Sequence, residues 1–245
     1  LTHGLRSMAN EVFAQSWHCP DAILAWVQGG KLKLGPIGEY LPFRERSEEL
    51  IRIDCDHLEE ALQTGASGAL TASGTMAVCR RLDIPMAITC GMGGIGDLRG
   101  EELCPDLPAL MNIPVALIST SPKDMLDRPA TLDWLRRHGV HTAGEPCTGY
   151  LFCGEPVALE RPLSSCNNEA AVRRLTANGG LLLLNPIPEK ERVQDRSILV
   201  DAIKAGKQAE AEGHYYHPAA NGEIDRRPDG YSSRIQQERF PQTYV

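Results

Sequence analysis

The chain has 245 residues, 42% of them apolar and 23% charged, with a formal net charge of −7. That is the profile of a globular protein long enough to bury a large core as one domain, or as two. The acidic balance and the lack of any lysine or arginine run argue against a nucleic-acid backbone or an anionic membrane surface as partner, and no apolar stretch approaches a membrane span. Eight cysteines are scattered without metal or redox spacing, Cys90/Cys104 and Cys147/Cys153 among them. They read as reduced thiols with packing roles in a cytoplasmic protein.

In chain order, Leu1 to Gly4 reads as a strand end turning at glycine, followed by a helical stretch through Met8, Val12 and Phe13. Asp21 to Gly35 is two apolar runs around Gly29-Gly30, a β-hairpin signal. Pro36 to Arg46 reads as a turn-rich connection, and Arg52 to Leu62 as a short strand passing into a helix. Gly65 to Arg81 is small and hydroxyl-rich before turning helical, which suits either close backbone approach or tight helix packing. Ile84 to Thr89 is a buried strand that runs into the glycine loop C-G-M-G-G-I-G, and a short acidic segment then ends in Pro105-Asp106-Leu107. Val115 to Thr120 is a second buried strand, with Lys123 just past its end. Ala130 to His138 is an amphipathic helix that ends in basic residues and closes at Gly139. A short strand begins at Val140, Gly144 to Pro162 is irregular, and Asn168 to Asn178 is helical. Leu181 to Leu184 is a buried strand leaving through Asn185-Pro186, and Asp195 to Glu212 is a long helix. From Gly213 the pattern weakens to a tail, or an arm packed on a neighbouring subunit.

Strands alternating with helices predict a single α/β domain over residues 1–212, with a largely parallel or mixed central sheet flanked by helices. Residues 213–245 are set apart as a divergent C-terminal arm or tail. Ligands of such folds gather at strand C-termini, where Thr89, Lys123 and Asn185 can converge. Taken alone, each has a plainer reading: Lys123 a solvated surface group, Asp106 a helix cap or surface group, the glycine loop a tight turn, Asn185 a cap on its proline turn.

Four segments, in order and at similar spacings, resemble the pseudouridine-5′-phosphate glycosidase family, with its indigoidine-cluster and C-ribosylating relatives. They are G-A-L-T-A-S-G-T-M at Gly68 to Met76, T-C-G-M-G-G-I at Thr89 to Ile95 with a downstream Asp106-Leu107, S-P-K-D-M-L-D-x-x-x-T-L-D-W-L at Ser121 to Leu135, and L-N-P-I-P-E at Leu184 to Glu189. The resemblance implies a C-glycosidase or C-glycoside synthase acting on a small-molecule ribose 5-phosphate C-nucleoside. Pseudouridine 5′-phosphate is the default substrate, and a different carbon-linked aglycone is the alternative. It also implies a divalent metal, Mn²⁺ or Mg²⁺, and a homo-oligomer, commonly a trimer. Lys123 matches the family's imine-forming lysine and Asp106 its metal-binding aspartate. The chemistry suits these residue types: a protonated imine is the electron sink that lets a carbon leaving group depart, a lysine serves when burial or a nearby cation keeps it partly neutral, and a carboxylate offers hard oxygen ligation. Thr89 and the amides of Gly91, Gly93 and Gly94 are candidates for holding the phosphate, with Arg52 and Asn185 as further substrate contacts. His3, in T-H-G, is either part of the motif or a structural hydrogen-bonder.

The departures are specific. The family's general-acid glutamate would precede Leu1. Arg52 stands where the family has lysine, and can grip an anion but not exchange protons near neutral pH. Gly96 falls near a family histidine, the loop before Asp106 is about two residues shorter than the family's, and the C-terminal segment differs, with Arg234 near the base-contacting asparagine. A degenerate paralogue that binds a sugar phosphate or a protein partner without catalysis is the competing expectation.

Overall fold

A computed structural model describes residues 9–15, 22–89, 91–96, 104–144, 157–166, 168–177, 179–185, 187, 192–214 and 216–225. The expectations for Leu1 to Gly4, His3, Cys90, Cys147, Cys153 and Arg234 lie outside these residues.

Two sheets form the scaffold. After the short helix α1 (Asn10–Gln15), strands β1 (Leu24–Gln28) and β2 (Lys31–Gly35) form the expected hairpin. Gly29 and Gly30 have φ of 57° and 70°, the pair of left-handed conformations that a two-residue type I′ turn requires. Pro36 to Arg46, expected as a connection, contains helix α2 (Ile37–Arg44) with Pro42 inside it. Its Tyr40 and Phe43 pack around Trp26 of β1, with ring centroids 5.7–5.8 Å apart. Burial of that aromatic group outweighs the local turn signals. Strand β3 (Ile51–Ile53), helix α3 (Leu58–Gln63) and strand β4 (Gly68–Leu70) follow. The first sheet has the order β2-β1-β4-β3, antiparallel except for the β3–β4 pair.

Helix α4 (Ala72–Arg81) leads from the first sheet to the second. The small residues before it serve close backbone approach, since a Cβ on Gly74 would lie 2.3 Å from the Ile53 carbonyl oxygen. The second sheet is wholly parallel, ordered β5 (Met86–Ile88), β7 (Ala116–Ser119), β10 (Leu181–Leu184) and β9 (His141–Gly144). Both faces are covered, which explains why β10 reads as four consecutive leucines. Leu117, Leu182 and Leu184 pack with residues of α4, α5 (Asp106–Asn112) and α6 (Arg128–Arg137). Ile118, Leu181 and Leu183 pack with Val172 of α7 (Glu169–Thr176) on the other face. Beyond β5 and β7 the chain forms a small parallel pair, β6 (Gly91–Met92) and β8 (Ser121–Pro122).

Helix α8 (Ser197–Ala211) matches the long helix expected. The segment after Gly213 begins with a further helix, α9 (Tyr216–Asp225), folded back onto α8 of its own chain. Tyr216, Ala220 and Ile224 recur every fourth residue and bury against Ile198 and Ala202, a helical stripe whose Ile224 alone contributes roughly 1.5–3 kcal/mol. Pro218 sits in the first turn of α9, where a missing N–H costs nothing. Among the described residues no helix is long and apolar enough to cross a membrane.

Candidate functional site

The C-terminal ends of the parallel strands are tied laterally by the backbone. The Thr89 amide donates to Ile118 O at 2.9 Å and the Asn185 amide to Ser119 O at 2.9 Å. Thr89 and Asn185 therefore flank the exit of β7 on its two sides, as expected of ligand-binding positions in an α/β sheet. The β6–β8 pair carries this exit further, matching Gly91 with Ser121 and Met92 with Pro122. Lys123 follows at once and is held by its own backbone: its amide donates to Met92 O at 3.2 Å, and its carbonyl accepts from the Leu126 amide at 3.0 Å. Lys123 is half-buried at this strand end.

Asp106 is the hinge of the site. It opens α5 yet does not cap it, because its carboxylate reaches two other elements. Oδ1 accepts from the Ser73 amide at 3.0 Å, in the first turn of α4, and Oδ2 accepts from the Gly93 amide at 2.8 Å, in the glycine loop. A negative charge at the start of α4 is favoured by the unpaired amides and dipole there, and Thr71 caps the next amide, that of Gly74, at 3.2 Å. Asp106 thus joins α4 to the glycine loop, and the loop is one residue from Met92, which holds the Lys123 amide.

Cys104 fills the space between these groups. A Cβ on Gly93 would sit 2.0 Å from its Sγ, so only glycine admits the thiol there. Burial first, and the Asp106 carboxylate second, push the Cys104 thiol up to about 12, while the charge of Lys123 pulls it the other way. Both Asp106 and Lys123 are therefore close enough to act on one sulfur.

Lys123, Asp106, Gly91, Gly93 and Gly94 come together, with Thr89 and Asn185 at the adjoining strand ends. The loop amides are partly committed: Gly93 to Asp106, and Ile95 to Thr131 Oγ1 at 3.0 Å. Arg52 is not brought in by any hydrogen bond or ion pair among the described residues, being exposed on the edge strand β3 of the other sheet. The end of that strand does touch the site, since the Cys55 amide donates to Ser73 Oγ at 3.4 Å. Among the described residues no group of three or more His, Cys, Asp or Glu side chains converges, and the Asp106 carboxylate accepts two backbone N–H bonds, one on each oxygen.

Ser73, Cys104 and Tyr216 were not singled out from the sequence. Tyr216 Oη donates to Met125 O at 2.8 Å and is buried, so α9 pins the turn that begins at Lys123. The signal for Ser73 lay within G-A-L-T-A-S-G-T-M; for Tyr216 only the stripe with Ala220 and Ile224 could have shown it.

The chain is similar to several known proteins. A protein named pseudouridine-5′-phosphate glycosidase from Methylobacterium nodulans is 32% identical over 203 residues, covering 78% of this chain and 59% of the relative. A protein of the same name from Caldanaerobacter subterraneus is 32% identical over 187 residues, covering 72% and 60% respectively. The chain thus spans about three-fifths of the length of these two relatives. The crystal structure of the prealnumycin C-glycosynthase AlnA in complex with ribulose 5-phosphate superposes with a TM-score of 0.75 at 23% identity, covering 90% of this chain and 77% of that one. An indigoidine synthase A-like protein from Thermotoga maritima superposes with a TM-score of 0.62 at 18% identity, covering 90% and 80%. The model of the family described as indigoidine synthase A like protein matches residues 19–237, and the chain belongs to that family.

Proposed function

We propose that this protein makes or breaks a carbon–carbon glycosidic bond to a phosphorylated pentose, with Lys123 as the covalent catalyst. The observation that carries the reading is the placement of Lys123. It is half-buried one residue beyond β8 and bonded through its amide to the strand that enters the glycine loop. The names of the relatives support a C-nucleoside 5′-phosphate as substrate, with pseudouridine 5′-phosphate the default. The AlnA structure, holding a pentulose phosphate on the same fold, supports an aglycone other than uracil as the alternative.

In the synthetic direction, Lys123 Nζ condenses with the C1 aldehyde of ring-opened ribose 5-phosphate and expels water, leaving a C1=N imine. A nucleophilic carbon of the aglycone adds to C1, the imine electrons return to nitrogen, and the proton that this carbon gives up passes to that nitrogen, leaving a secondary amine on C1. The C4 hydroxyl then closes on C1, its proton passing to the departing amine, and the lysine is released. Cleavage runs the same steps backwards.

A Mn²⁺ or Mg²⁺ requirement belongs to the proposal, and no step above is routed through it. Turnover abolished by EDTA and restored by either ion supports it; turnover that survives chelation removes it. A homotrimer and a cytoplasmic location are part of the same reading. Light scattering tests the first, and the second fits the free thiols of Cys55, Cys79, Cys104 and Cys166.

The test of the imine is borohydride trapping with ribose 5-phosphate. A covalent adduct is expected by mass spectrometry in the native chain and not in Lys123→Ala. Absence of an adduct at every pH and metal condition defeats the mechanism. A second reading, a binding protein without turnover, is favoured by the exposed Arg52 and by Asp106 being engaged with backbone amides. Calorimetric binding of ribose 5-phosphate without turnover of any C-nucleoside would establish it.

A further inference from the structure

Thr131 lies in the first turn of α6 and is wholly buried. Its hydroxyl belongs to a closed circuit of hydrogen bonds. The Ile95 amide donates to Thr131 Oγ1 at 3.0 Å, Thr131 Oγ1 donates to Asp127 O at 2.7 Å, and the Asp127 amide donates back to Ile95 O at 2.8 Å. The middle bond alone is what a helical threonine does with the carbonyl four residues back. The first is different in kind, since it draws an amide of the glycine loop from 36 positions away. Gly94 rests on the same side chain: a Cβ there would stand 2.6 Å from Thr131 Oγ1 and 3.1 Å from its Cγ2.

The circuit forms one end of a clasp. The turn that begins at Lys123 ends at Asp127, and both ends are bonded to the glycine loop, the Lys123 amide to Met92 O at 3.2 Å and the Asp127 amide to Ile95 O at 2.8 Å. Residues 92–95 therefore run beside residues 123–127 in a fixed register. The Met92 end is held by backbone alone, whereas the Ile95 end also depends on a side-chain hydroxyl. Without that hydroxyl the Ile95 amide loses its acceptor and the Asp127 carbonyl loses one of its donors.

We infer that Thr131 is a positioning residue of the site. Being buried, it acts through the loop and the turn, whose register brings the Lys123 amine to C1 of the bound sugar. Bond formation is steeply sensitive to such placement, a displacement of about 1 Å costing on the order of 100-fold in rate. The inference deepens the functional reading above and rests on it for the reaction whose rate is measured.

The test uses the full chain with Thr131→Val, which keeps the volume and loses the hydroxyl, and Thr131→Ser, which keeps the hydroxyl and loses the methyl. Thr131→Ala takes the place of the first should it not fold. Borohydride trapping with ribose 5-phosphate is timed well below the melting temperature of every variant. Thr131→Val is expected to slow trapping at saturating sugar phosphate on the order of 10- to 100-fold, with the half-saturating concentration within about threefold of native. Thr131→Ser should restore a near-native rate. Amide hydrogen exchange over residues 92–95 and 123–127 should quicken about 10-fold in Thr131→Val and stay native in Thr131→Ser.

An unchanged saturating rate in Thr131→Val, an equal loss in both variants, or a shift confined to the half-saturating concentration would each overturn the inference. Its failure and that of the imine reading are distinguishable. If the native chain forms no adduct, the imine falls and exchange alone decides the register: quickening across both segments in Thr131→Val sustains it, and quickening confined to α6, or none, removes it. A native adduct with rate and exchange both unchanged in Thr131→Val removes the register and leaves the imine.

Discussion

Replacing Asp106 with asparagine separates a structural carboxylate from one that serves only a metal or the substrate. The side chain keeps its shape but retains one acceptor oxygen, and the other becomes an NH₂ group. In the native site each oxygen receives a backbone N–H, from Ser73 at 3.0 Å and Gly93 at 2.8 Å, and the residue is 7% exposed, so water cannot readily replace a lost acceptor. One hydrogen bond to a charged group disappears, at about 1.5–3 kcal/mol, and an amide donor is left facing another donor. A total of about 2–4 kcal/mol corresponds to a fall in melting temperature of roughly 5–15 °C for a chain of this size. The assay is thermal unfolding of Asp106→Asn in EDTA without substrate, alongside borohydride trapping. Trapping is expected to slow as well, because Gly93 adjoins Met92, which holds the Lys123 amide. Asp106→Asn melting within about 1 °C of the native chain in EDTA, yet losing turnover, would refute the clamp and return the carboxylate to a purely catalytic or metal-binding role.

Other measurements probe the same framework. Tyr216→Phe strands the buried Met125 carbonyl and should cost about 1–2 kcal/mol; a smaller trapped fraction at Lys123 in the same variant would tie α9 to the site, and unchanged stability would contradict the contact. Gly93→Ala forces a methyl into Cys104 Sγ, so Cys104→Ala should recover part of its loss in a double-mutant cycle, whereas additive losses would argue against that contact. Burial raises the thiols of Cys55 and Cys79 to about 11 and that of Cys104 to about 12. The folded state therefore holds those protons more tightly than the unfolded chain. Their contribution to stability is present in full below the ordinary thiol value near 9 and is lost as pH rises through about 11 to 12. Native labelling of these three thiols at pH 8 should be slow and become fast on unfolding; rapid native labelling of Cys104 would show the site to be more open than described.

What the sequence determined by itself was everything whose cause lies within a few residues. Gly29-Gly30 dictates a turn, four leucines demand a strand buried on both faces, and a basic last turn before Gly139 ends a helix. Lys123 and Asn185 were legible as strand-end residues for the same reason. Strands β4, β6 and β8 were not, because two or three residues carry no periodicity, and α9 was hidden by glycine and proline that mask its four-residue stripe. The tertiary structure alone decided what the site residues touch. Asp106 meets Ser73 across 33 positions and Gly93 across 13, and Tyr216 meets Met125 across 91. Hydrogen bonds over such separations depend on how helices close over the sheet, which no local pattern encodes. That closure gave Asp106 two backbone partners on separate elements and left Arg52 on another sheet.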